Sequence, residues 1–143
     1  VSNRLFIGSN GAFMNASGSN IGIGTSNPVE ALHVAGNILS TGLSTVSDAL
    51  LKTNVCALDG SLDKLKTLMG CTFVYVDDSK QKLHSGFIAQ DVQKVIPHVV
   101  SDTSLGFKTL AYQELIPYII ESIKELSKEI KTLQSKIDDL MIQ

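Results

Sequence analysis

The chain has no tryptophan, and aromatic residues make up only 6% of its 143 positions. Partner-gripping surfaces lean on buried aromatic anchors, so a dedicated recognition surface is not favoured. Charge is scarce as well: 18% of residues are charged and the formal net charge is −2. That balance provides no field to hold nucleic acid or an anionic membrane, and no basic patch with interleaved aromatics is present. Neither is expected as a partner. No apolar run reaches the roughly 18 residues that would span a bilayer. The opening VSNRLFIGSNGAF lacks the basic-then-apolar order of a signal peptide and reads as an internal stretch of a longer chain. Cys56 and Cys71 are not in CxxC spacing, and His33, His84 and His98 are scattered. Neither a metal centre nor a cofactor is expected, and the cysteines read as small apolar core thiols. What the chain does have is 43% hydrophobic content, too much for a disordered segment.

Three regions follow one another. Residues 1–46 are rich in Gly, Ser, Asn and Thr, with short apolar runs at Leu5-Phe6-Ile7, Ile21-Gly22-Ile23-Gly24 and Ala31-Leu32-His33-Val34. These read as short strands separated by turns. One chain has too few large side chains here to close a core. The segment is a linker or a share of an intertwined β-structure, and the alternation favours the second. Residues 47–112 read as a small α+β domain: helices over 47–58 and 61–69, a strand over 71–76, an extended stretch turning into a helix over 85–95, and short strands at 98–100 and 107–110. Such a domain is small enough to need partners.

Residues 113–143 read as a long helix. Ile116, Ile119, Ile123, Leu126, Ile130, Leu133, Ile137 and Leu140 recur at alternating spacings of three and four, an unbroken heptad seam. A stripe this narrow is the mark of a helix–helix seam rather than a broad core face. Pro117 falls in the first turn, where its missing N–H costs little. Ile at a with Leu at d leans toward two strands and Ile at both toward three, so the coil alone leaves the number open.

One constellation has chemical potential. Ser47 opens the helical pattern and Lys52 lies five residues on. A serine hydroxyl is a poor nucleophile until a base takes its proton. Lysine serves as that base only when neutral, which burial or nearby cations favour. Lys52 follows Leu50 and Leu51 and precedes Val55, an apolar setting. On an ideal helix, positions i and i+5 diverge by about 140°. Either Ser47 lies just outside the helix or the base comes from another subunit. With Ser47 ahead of the first turn, the Val46 carbonyl would lie near N–H groups able to stabilise an oxyanion. The plainer alternative is a helix cap at Ser47 or Asp48 and a solvated lysine, which composition and spacing alone favour.

Several segments together resemble one family, the C-terminal intramolecular chaperone and autoprotease domain of endosialidases, phage tail spikes and fibres, also found in myelin regulatory factor-like proteins. They are Ser47-Asp48-Ala49-Leu50-Leu51-Lys52, then Gly70 ahead of Phe73-Val74-Tyr75, then Ser85 through Val92 with Ile96-Pro97, and finally Leu110-Ala111-Tyr112 leading into the helix through Leu126. The stretch Ile21–Ile38 is similar to a repeat found upstream in phage and large-virus fibres. The resemblance implies an α+β fold: a short β-rich trimeric stalk end at 1–46, a chaperone and autoprotease core at 47–112, and a trimeric coiled coil at 113–143. It implies a homotrimer whose client is the parent fibre or spike. The protein would be a virion precursor made in the host cytoplasm, with its domain released by a cut between Val46 and Ser47. Ser47 would be the nucleophile and Lys52 the base, with Asp48, His84 and Gln90 in supporting roles. The family's usual motif carries Arg where this chain has Leu50. That removes one cation favouring a neutral lysine, so cleavage is expected to be slower than in relatives or absent. The alternative is a permanent trimeric fibre tip that does not cut.

Overall fold

The computed structural model describes residues 4–5, 14–17 and 19–142. Phe6, Ile7 and Gln143, and the opening stretch apart from Arg4 and Leu5, lie outside the described residues. The fold is α+β, in two compact units: residues 1–54 with 103–105, and residues 55–102 with 106–143.

The first unit carries a four-stranded sheet of β1 (Arg4–Leu5), β2 (Met14–Ser17), β3 (Asn20–Ile23) and β4 (Leu32–Val34), in that order. The first two pairings are antiparallel, and β3 runs parallel to β4 with Ile21 opposite Leu32 and Ile23 opposite Val34. Ile21 and Ile23 occupy alternate positions, hence one face, and both remain exposed, as does Leu32. Among the described residues, Ile21, Ile23, Leu32 and Val34 lie in strands as the sequence suggests, and of these only Val34 is half-buried. After β4 the chain is irregular, and Ile38, Leu39 and Leu43 are exposed.

The second unit holds two small antiparallel hairpins and three helices. They are β5 (Cys71–Phe73) with β6 (His84–Gly86), β7 (Val100–Asp102) with β8 (Lys108–Leu110), α1 (Ser61–Lys66), α2 (Ala89–Val95) and α3 (Leu115–Met141). The core is Val92, Ile96, Val99, Val100, Leu115 and Tyr118, flanked by half-buried Leu58, Leu65, Leu68, Phe87 and Leu110. Helix α2 stops at Ile96, whose φ of −134° and ψ of 75° are those of a residue held off the helical region by the following proline. Pro97 then opens a 3₁₀ turn over Pro97–Val99. The strand expected at 98–100 is thereby displaced to 100–102, where Asp102 pairs with Lys108 across the hairpin. The cysteines are both free; Cys71 is half-buried but Cys56 is exposed, not in the core, because the segment around it has no regular structure to bury it.

Helix α3 has two apolar faces with different fates. Leu115, Tyr118 and Ser122 are buried against the unit's own core. The eight seam residues from Ile116 to Leu140 are all exposed. The unit does not use the seam to close itself.

Helix α1 is capped from a distance. Gly60 enters it with a left-handed φ of 64° and has no side chain to cap with. The missing acceptor comes from α3: the Glu125 carboxylate accepts the N–H groups of Leu62 at 2.9 Å and Ser61 at 3.0 Å. Those two bonds, Leu62 first, hold the Glu125 carboxyl below the ordinary glutamate value against some opposing desolvation. A depressed carboxyl contributes stability above its unfolded value and loses it as pH falls through the folded value. The contribution of this cap should therefore be constant above about pH 5 and fall away below about pH 4. Asp78, lowered by the N–H groups of Lys80 and Lys82, adds in the same direction. In urea titrations from pH 7 to pH 3, Glu125→Gln should be less stable than wild type at pH 7 and show a shallower acid decline. An unchanged pH profile would remove the cap from the account.

Candidate functional site

The helix expected over residues 47–58 is absent. The backbone makes one 3₁₀ turn at Ala49–Leu51 and is extended again at Lys52, with φ −121° and ψ 142°. The turn closes through the Leu51 N–H to the Asp48 carbonyl at 3.2 Å and the Lys52 N–H to the Ala49 carbonyl at 3.1 Å. Asp48 caps it: its Oδ1 accepts the Leu50 N–H at 2.8 Å. Two things stop the helix. Leu50, Leu51 and Val55 are left exposed, and a short helix without packing is marginal. Asn54 then takes a left-handed φ of 54°, off the right-handed helical path.

This break removes the angular problem. Ser47 and Lys52 both lie outside the turn, and Lys52 Nζ donates to Ser47 Oγ at 2.6 Å. The pair is made within one chain and within one unit. Val46, Ser47, Asp48 and Lys52 are all exposed. The Leu50 N–H is occupied by Asp48, so it is not free to act as an oxyanion donor.

His84 and Gln90 belong to the second unit. On β6, His84 stacks on Phe73 with ring centroids 5.8 Å apart and meets the edge of Tyr75 at 5.1 Å. Gln90 lines an open cavity of about 510 Å³ with Phe73, Phe87, Lys108 and Tyr112. Asp91 pairs with Lys94 at 2.8 Å.

Sequence reasoning missed one contact. Tyr112 is half exposed, and its Oη accepts the Phe87 N–H at 3.0 Å, over the face of Gly86. The only sequence signal is a Gly-Phe pair upstream of the tyrosine, and nothing in that spacing indicates that the two meet.

Comparison with known proteins adds the wider context. Residues 47–101 match a family model described as chaperone of endosialidase, which is classed by name among peptidases. The long tail fibre protein Gp37 of Enterobacteria phage K3 is 32% identical over 108 residues, covering 71% of this chain and 9% of that protein. Gp37 of Enterobacteria phage T2 matches at 32% over 108 residues, 71% of this chain and 8% of its own length. A probable tail fibre protein of Escherichia phage Phieco32 is 34% identical over 100 residues, covering 66% of this chain and 14% of that protein. The chain thus spans under a sixth of each of these relatives. On these matches, residues 47–101 are a chaperone-of-endosialidase domain, in a chain similar to phage tail fibre proteins.

Proposed function

We propose that this chain is the assembly domain of a homotrimeric phage tail fibre and that it frees itself by one cut between Val46 and Ser47. The observation that carries the cleavage is the 2.6 Å bond from Lys52 Nζ to Ser47 Oγ. A neutral Lys52 amine takes the Ser47 hydroxyl proton as Oγ attacks the Val46 carbonyl carbon. The Val46–Ser47 C–N bond then breaks, and the Ser47 nitrogen leaves with a proton as a free amine. Val46 is left as an ester on Ser47 Oγ. Water hydrolyses that ester, restoring the hydroxyl and releasing the Val46 carboxylate. Shielding of this exposed junction by neighbouring chains would favour the neutral amine that the base requires.

Assembly is supported by what the single chain leaves uncovered: the seam of α3 and the apolar face of β3. The helix extends about 40 Å, at 1.5 Å for each of its 27 residues. It can hold three chain ends in register before a stalk with non-local pairings forms. The fibre proteins among its relatives support a virion structure as the client.

Intact mass of fresh protein, followed over hours, tests the cut; two fragments meeting between Val46 and Ser47 are expected. Sedimentation equilibrium tests the assembly, with three chains expected and two sinking the trimer. Within the seam, Ile130→Asp would place a carboxylate in each helix of the coil. It should weaken association at least about a hundredfold while leaving the second unit folded, because Ile130 takes no part in that unit's core. Unchanged association would move the interface off α3.

A further inference from the structure

We infer that Asp48 is the positioning residue of the Ser47–Lys52 pair, its carboxylate pinning the turn that brings the lysine back to the serine. This rests on the proposed self-cleavage and concerns how its two groups are held together.

A serine and a lysine five residues apart have no default reason to meet. On a continuing helix they would point about 140° apart, and in a free chain each side chain would sample solvent separately. Here the chain must turn after Asp48 and straighten again by Lys52. The turn has no buried residue to hold it. Its two backbone bonds, at 3.1 and 3.2 Å, are longer than the 2.8 Å bond from the Leu50 N–H to Asp48 Oδ1. Asp48 itself is extended, at φ −67° and ψ 137°, so the turn starts after it and Ser47 stays outside. The carboxylate thus sets where the turn begins. The three-residue length of the turn then returns Lys52 Nζ to Ser47 Oγ. Asp48 touches neither reacting atom in this arrangement. It acts through the Leu50 N–H.

Asparagine offers the same acceptor without the charge, whereas alanine offers none. The test measures fragment formation by intact mass for wild type, Ser47→Ala, Asp48→Ala and Asp48→Asn, each checked for assembly by sedimentation. Asp48→Ala should assemble normally and cut about fivefold to tenfold more slowly, the scale of a lost cap. Asp48→Asn should cut within about twofold of wild type, with the same pH of half-maximal rate. The inference is overturned if Asp48→Ala cuts at the wild-type rate, or if Asp48→Asn is as slow as Asp48→Ala, which would assign the effect to charge. Loss of assembly in Asp48→Ala overturns it too, by making the residue a folding element. Failure of the underlying reading looks different: wild type that stays uncut, or Ser47→Ala that still cuts, removes both together.

Discussion

A Ser47→Ala chain is expected to stay a single mass while assembling as wild type does, with cutting reduced by at least about three orders of magnitude. Removing Oγ removes the group that Lys52 Nζ is bonded to in this turn. The side chain is exposed, so its loss leaves no cavity and should not disturb folding. Lys52→Arg should fail to a similar degree, because a guanidinium donates hydrogen bonds but does not give up its proton near neutrality. Following fragment appearance by mass decides the matter. A Ser47→Ala chain that still splits at Val46–Ser47 would eliminate the serine as nucleophile. An uncut wild-type chain would point instead to a permanent trimeric tip, and Leu50, where the family's usual motif has Arg, would be the first position to change.

Gly86→Ala should lower the unfolding free energy of the second unit by about 2–3 kcal/mol. The backbone there is an ordinary strand, so the reason is space rather than torsion. A Cβ on Gly86 would run into Tyr112 Oη and lie 3.2 Å from Phe73 Cε1. Tyr112 cannot retreat without cost: it accepts the Phe87 N–H at 3.0 Å and stacks on the Phe87 ring at 6.3 Å. Moving it breaks both contacts, and moving Phe73 disturbs its packing on His84 and Tyr75. The double variant gives a sharper check. Tyr112→Phe deletes the colliding oxygen, so Gly86→Ala should cost about 1 kcal/mol less in that background. Denaturant melts of the four proteins supply the cycle. Strict additivity would show that the clash is relieved elsewhere.

Much of this architecture is local and was therefore legible in the residues. The heptad seam follows from a spacing that any helix converts into a stripe, and the exposed row from Ile116 to Leu140 lies where that spacing puts it. The end of α2 before Pro97 follows from what a proline forbids its predecessor. Ser47 and Lys52 were legible as a candidate pair, by residue type and by the family motif.

Other features depend on contacts between residues distant in sequence, or on packing that never arrives. The helix expected over 47–58 has good spacing but nothing to pack against, and so collapses to the single turn at Ala49–Leu51. The exposure of Cys56 has the same origin. The cap of α1 is a glutamate 63 or 64 positions away, and Tyr112 reaches Phe87 across 25. Local pattern determined which stretches can be helix, strand or seam, because periodicity and proline act within a few residues. Only the tertiary structure decided where Lys52 Nζ lies, what Glu125 caps and why position 86 is glycine, because these are matters of distance between groups that sequence spacing leaves free.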